Sequence, residues 1–185
     1  MSQGEEEQTS QLHLLQNKWT MWYDQGCGKN QKWGEHLQQI YTFGTVEDFW
    51  RLYNNMVPPK SLQQGCTYHL FKDDIRPEWE HEQNRGGGKW VIIPDRNKVD
   101  DNWLSLLLAC VGETLSDSED EICGVVVSIR KKQDKIAIWT KNTNEHLSIQ
   151  IGQNLKKALN LNKQIKYQSH SDAAHSKQPK SLFVQ

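Results

Sequence analysis

At 185 residues the chain is long enough for one domain with a substantial core and short for two. Its net charge of -1 excludes bulk electrostatic attraction to nucleic acid, so any phosphate contact must come from a local cluster. Four cysteines without a C-x-x-C pair, seven histidines without ligand spacing, and no apolar leader or membrane-length run point to reduced thiols, no metal or cofactor, and a cytoplasmic or also nuclear protein.

Residues 1–12 are polar and acidic and are expected to form a disordered tail before a single domain over 13–185. Trp19, Met21 and Tyr23 alternate with Lys18, Thr20 and Trp22, the period of a strand. A Gly-containing turn follows and leads to Trp33, an indole with few apolar neighbours in sequence and so a candidate ligand platform. The stretch His36–Phe43 alternates weakly around Leu37, Ile40 and Phe43. Thr45, with Asp48 three residues on, reads as the cap of a helix whose Val46, Phe49, Trp50 and Tyr53 fall on one stripe. Such a stripe faces a core, but Trp50 lies near its margin and is a candidate for partial exposure.

Cys66–Lys72 is strand-like and runs into Ile75-Arg76-Pro77-Glu78-Trp79-Glu80-His81-Glu82. Pro77 stops any helix here and favours extended backbone before it, which puts Trp79 and Glu80 on a loop. An indole face attracts a cation and the adjacent carboxylate accepts hydrogen bonds, so the pair suits something flat, cationic and rich in N–H donors. The plainer alternative is an indole covering the rim of a core beside solvated acids. The triple glycine at 86–88 reads as a flexible turn and not a phosphate loop, because Lys89 is followed by Trp90 and no helix pattern succeeds it.

Asp101 is the expected cap of a helix from Asn102 to Leu115. Leu104, Leu107, Leu108 and Val111 form one face of it, flanked by Trp103 and Leu106, an arc wide enough for a second apolar surface. Cys123–Arg130 and Lys135–Thr140 form a hairpin with Arg130, Lys132 and Lys135 at one end. These cations are either a phosphate site or a solvated edge that discourages aggregation. Ile151, Leu155, Ala158 and Leu159 are spaced for a third helix, Ile165–Gln168 for a strand, and 169–181 for a polar loop.

Several linked motifs now stand in order: Trp19-x-x-Trp22, Thr-Val-Glu-Asp-Phe-Trp at 45–50, Leu-Phe-Lys-Asp at 70–73, Trp79-Glu80, Gly-Lys-Trp at 88–90, Asp-Lys-Ile-Ala-Ile-Trp-Thr at 134–140 and Tyr-Gln-Ser-His at 167–170. From about His13 to Val184 the chain resembles the eukaryotic translation initiation factor 4E family of messenger RNA cap-binding proteins. The resemblance implies an α+β single domain: a strongly curved antiparallel sheet of about eight strands, with three helices on its convex face. It also implies a non-enzymatic monomer that binds the 7-methylguanosine di- or triphosphate cap. The base would lie between Trp33 and Trp79, with Glu80 accepting its N–H groups and Trp139 near the methyl group. Arg130 and Lys135 would contact the phosphates, with Lys132 and Lys89 as outer helpers. A second site implied by the resemblance comprises His13, Val46, Trp50, Leu104, Leu107, Leu108 and Gly112. It would take a helical Tyr-x-x-x-x-Leu-hydrophobic segment of the scaffold 4G or of a 4E-binding protein. Ser105 departs from the family, which usually has an acid there, and the C-terminal loop is short. Two other readings stand beside it: a hydrolase using Glu80 and Glu82 as an acid/base pair, and a repressor that sequesters messages and accepts trimethylguanosine caps. Only two carboxylates favour the first, and retention of Trp33 and Trp50 disfavours the second.

Overall fold

The computed structural model describes residues 12–26, 36–118, 120–176 and 180–185. The expected tail, up to residue 11, and Trp33 lie outside the described residues. Eight strands form one curved antiparallel sheet in the order β2-β1-β3-β5-β6-β4-β7-β8. In chain order they are β1 (Leu14–Asp24), β2 (Leu37–Thr45), β3 (Thr67–Lys72), β4 (Gly88–Ile92), β5 (Ile122–Ser128), β6 (Lys135–Thr140), β7 (Lys166–Ser169) and β8 (Phe183–Val184). Between them lie α1 (Val46–Asn55), α2 (Glu82–Arg85), α3 (Val99–Val111), α4 (Glu145–Ala158) and α5 (His170–His175). Three are long, as expected, and two are short turns of helix.

The strand period explains which side of the sheet is which. Trp19 and Met21 of β1, Tyr68 and Leu70 of β3, Val125 and Val127 of β5, Ile136 and Ile138 of β6, and Trp90 and Ile92 of β4 point into the main core. There they meet Phe49 of α1, Trp103, Leu106 and Leu107 of α3, and Ile151 and Leu155 of α4. The alternate residues point to the concave side: Trp22, His69 and Phe71, Val126, Ala137 and Trp139, and Lys89 and Val91. Part of that side is also apolar, since Phe71, Ile75, Cys123, Val126 and Trp139 form a second buried cluster. Glycine is required where α4 meets the sheet: a Cβ on Gly152 would come within 2.5 Å of the Trp90 ring, whose Nε1 donates to the Ser148 carbonyl at 2.8 Å.

Helix starts follow the chain's own chemistry at α1, α4 and α5 and differ from expectation at α3. The Thr45 hydroxyl accepts from the Asp48 N–H at 3.1 Å, as expected, and the Asn144 side chain caps α4 in the same way at 3.1 Å. Asp101, however, is not a cap. The helix begins three residues earlier, after Lys98, whose side chain makes no capping bond; burial of Val99 at 0% exposure draws the first turn into the core. The region expected as a polar loop after β7 contains α5, started by the Ser169 hydroxyl accepting from the Asp172 N–H at 3.1 Å. Nor are the glycines of 86–88 a flexible turn. Gly87 and Gly88 are buried against the Thr140 and Gln168 carbonyls, and Gly88 already belongs to β4.

Candidate ligand and partner sites

Two adjoining clefts open on the concave side. The smaller, of about 320 Å³, is lined by Trp79, Glu80, Lys89, Trp139, His170, Ala173 and Ala174. The larger, of about 670 Å³, shares Lys89 and Trp139 with it and continues past Arg130 and Lys135. A flat ring seated in the first cleft therefore has a cationic trough beside it for attached anions.

The Trp79–Glu80 loop is held from below by α2. Asn84 is fully buried, and its amide donates to the carbonyls of Arg76 at 2.9 Å and Glu78 at 2.8 Å. The N–H of His81 closes the turn on the Glu78 carbonyl at 3.2 Å. Arg76 pairs with Glu78 at 2.7 Å and lies over the Trp22 ring, 5.5 Å from its centre. These contacts leave Glu80 exposed, with no hydrogen bond or ion pair to any described residue. An unengaged carboxylate beside a half-buried indole is free to accept N–H donors from a ligand.

Trp139 forms the inner wall of the small cleft. His170 lies against it with ring centres 4.1 Å apart, and the Phe71 ring meets it nearly perpendicularly at 5.3 Å. Burial, with help from nearby Lys89, pushes the His170 imidazole down to about 3, so it is neutral at physiological pH. A neutral ring here does not repel a cationic ligand. The Lys89 ammonium lies 5.9 Å from the Trp139 ring centre; burial first, then Lys135, lowers its pKa below the usual lysine range. At the rim, the exposed His175 ring meets Trp79 nearly perpendicularly at 5.9 Å.

Arg130 and Lys135 both line the large cleft. The Arg130 guanidinium is anchored by the Gly65 carbonyl at 2.7 Å and the Thr67 hydroxyl at 3.2 Å, while the backbone N–H of Arg130 donates to buried Asp134 at 3.0 Å. The hairpin turn is thereby fixed with its cations oriented. Lys132 is exposed on that turn and lines neither cleft. His69 lies on the floor, 3% exposed, with both ring nitrogens unpartnered among the described residues; burial, reinforced by Arg130, pushes it down to about 3.

On the helical side, Val46 and Trp50 of α1 are each 37% exposed and Leu108 of α3 is 40% exposed. Leu104 is half-buried and Gly112 ends α3 in the open. His13 is clasped to α1: its Nδ1 meets a Glu47 carboxylate oxygen at 2.6 Å, and its carbonyl accepts from the Val46 N–H at 2.9 Å. Leu107 must be corrected. It is 0% exposed and packs in the main core, because at this point of α3 the core-facing arc takes Leu106 and Leu107 together. Its side chain is therefore unavailable to a partner.

Residue-level reading missed Asn84 and α5, with its alanines against the small cleft. His170 had a signal, the Tyr-Gln-Ser-His run, but no role was attached to it. Asn84 had none, since a polar residue in a polar stretch does not announce that it is buried.

Among known proteins, a sequence model of the family described as "Eukaryotic initiation factor 4E" matches residues 14–182. The Dictyostelium discoideum eukaryotic translation initiation factor 4E is 47% identical over 176 residues, covering 92% of this chain and 70% of that one. Factor 4E-1 of Triticum aestivum is 47% identical over 176 residues, covering 93% and 81%. A solved complex of C. elegans eIF4E-3 with the 4E-binding protein Mextli and a cap analog superimposes with a TM-score of 0.89 at 37% identity, covering 95% of this chain and 100% of that one. Schistosome eIF4E in complex with m7GpppG and 4E-BP gives a TM-score of 0.87 at 31% identity, covering 94% and 99%.

Proposed function

The chain belongs to the eukaryotic initiation factor 4E family, and from that premise we propose that it binds the 7-methylguanosine 5′ cap of messenger RNA on its concave face and promotes translation initiation. The observation that carries this reading is Glu80: an exposed carboxylate engaged by no described residue, beside Trp79, at the mouth of a cleft that runs on to Arg130 and Lys135. Methylation at N7 makes guanine a flat cation, which suits indole faces and a neutral His170. Glu80 accepts the base N–H donors, Trp79 stacks with Trp33 on the other side, and Trp139 lies near the methyl group. Arg130 and Lys135 take the phosphates, with Lys89 between base and phosphates; Lys132 acts from outside the cleft.

The helical face is the partner site. Val46, Trp50, Leu104 and Leu108, bordered by His13 and Gly112, receive an amphipathic helix from scaffold 4G or a 4E-binding protein, the helix-in-groove mode. No chemical step is involved: binding and display account for the function, exercised by a monomer in the cytoplasm. A repressor that only sequesters messages is the weaker reading, because Trp50 remains exposed where an initiation factor needs it. Retention on a 7-methyl-GTP resin tests the cap assignment. The protein is expected to be retained and Glu80→Ala to pass through with unchanged circular dichroism; retention of Glu80→Ala like the parent sinks the assignment.

A further inference from the structure

Trp79 needs a fixed attitude if a flat ring is to stack on it, yet its loop is irregular and the indole is only half-buried. The indole rests in part on the second apolar cluster. A further support comes from α5. His175 meets the Trp79 ring with centres 5.9 Å apart and planes at 79°, and no other ring contacts Trp79 among the described residues. His175 does not line the small cleft, whereas Trp79, Ala173 and Ala174 do. It therefore touches the indole from outside the space that a bound base would take.

The His175 ring is itself held. Its Nδ1 lies 2.8 Å from the Ser171 carbonyl oxygen, which can only accept, so Nδ1 carries the proton and the ring is tied to its own helix. That helix joins the rest of the site at Gly87, whose carbonyl accepts from the His170 N–H at 3.1 Å and whose N–H donates to the Asn84 carbonyl at 2.9 Å. Asn84 in turn holds the Trp79 loop from below. The supports form a closed circuit, from the loop through α2, Gly87 and α5 back to the indole. We propose that His175 is a positioning residue for cap binding: it fixes the attitude of the Trp79 ring by contact from outside the cleft and does not touch the ligand. An indole already held in place loses less freedom when a base stacks on it, so the contact acts on affinity and not on fold. The inference rests on the cap reading above and adds to it a residue that the cleft does not contain.

The test titrates 7-methyl-GTP and 7-methyl-GMP into the parent protein, His175→Ala, His175→Gln and His175→Phe, with a urea denaturation of each. His175→Ala is expected to weaken both ligands about fivefold, the scale of one aromatic pair, and to leave the urea midpoint unchanged because the ring is exposed. His175→Gln keeps an N–H donor without a ring and stays as weak as His175→Ala. His175→Phe keeps a ring without the donor and returns both affinities to within about twofold of the parent. Parent-like affinity in His175→Ala, or recovery by glutamine instead of phenylalanine, overturns the proposal. So does a loss confined to the triphosphate, which puts His175 on the phosphates, or one that comes with a lower urea midpoint, which makes it structural. Failure of the parent to bind 7-methyl-GTP at all is a different result: it removes the cap reading, and this inference with it.

Discussion

Glu80 and Asn84 show how one short loop divides its work between display and support. Glu80 makes no hydrogen bond or ion pair to any described residue, so its replacement is expected to act on ligand and not on fold. Asn84 is the reverse: fully buried, it holds the Arg76 and Glu78 carbonyls that set the path of the loop. Asn84→Ala removes the two hydrogen bonds that hold the loop from below and is expected to cost about 1–3 kcal/mol, read as a lower denaturation midpoint, with cap affinity falling too. Cap affinity unchanged in that variant means the loop is positioned by something else. The buried histidines give a pH signature. His69 and His170 are both pushed down to about 3 by burial, below the ordinary value near 6.5 that they recover on unfolding. The unfolded chain then binds more protons, so their contribution is fully present above about pH 6.5 and is lost as pH falls towards 3, on the order of 1 kcal/mol per pH unit for each. Denaturant titrations at pH 7.5, 6 and 5 check this. His69→Asn should flatten the profile, and an unflattened one removes His69 as the cause.

The helices differ in how openly the sequence declares them. Helix α1 was legible because Thr45 and Asp48 form a cap and its stripe has a clean period; only the division of that stripe, with Phe49 inward and Val46 and Trp50 outward, required tertiary context. Helix α3 is apolar on nearly every side, so periodicity could not tell Leu107 in the core from Leu108 outside it. Helices α2 and α5 are too short and polar to carry a periodic signal; they form because Asn84 and Ser169 find buried partners and cap geometry. At α4 the controlling residue is one with no side chain. Gly152→Ala drives a methyl group into the Trp90 ring and should destabilise the fold by about 1–3 kcal/mol, measured by thermal or urea unfolding. Parent-like stability means that α4 can shift away without loss. Trp50→Ala, at the exposed margin of α1, should instead weaken binding of a Tyr-x-x-x-x-Leu-hydrophobic peptide at least about tenfold, as an interface tryptophan does, with cap affinity preserved. Loss of cap affinity as well makes Trp50 structural.

At the scale of the whole molecule, one sheet separates two recognition surfaces. Its convex side is closed by α1, α3 and α4 over the main core, and the residues proposed to receive a partner helix lie on the outside of that layer. Its concave side holds a second, smaller apolar cluster, on which the base pocket rests, with the cationic trough alongside. Strand alternation makes this arrangement readable in outline: Trp90 turns inward while Lys89 and Val91 turn to the cleft. The bringing together of Trp79, Trp139, His170 and Arg130 was not readable from spacing, because these residues are placed by the strand order β3-β5-β6-β4-β7 and not by sequence distance. The family resemblance implies a shared site for Trp79, Trp139 and Arg130 but not for His170.

Both surfaces serve one function only if the concave pocket selects a methylated, cationic guanine. Intrinsic tryptophan fluorescence, titrated in parallel with 7-methyl-GTP and with GTP, measures it directly. The two ligands share base edge and phosphates and differ in the charge that methylation places on the ring. The structure predicts quenching by 7-methyl-GTP with an affinity at least about tenfold above that for GTP, the scale of one desolvated cation–π contact. Equal affinities for the two nucleotides, or no quenching by either, would contradict it.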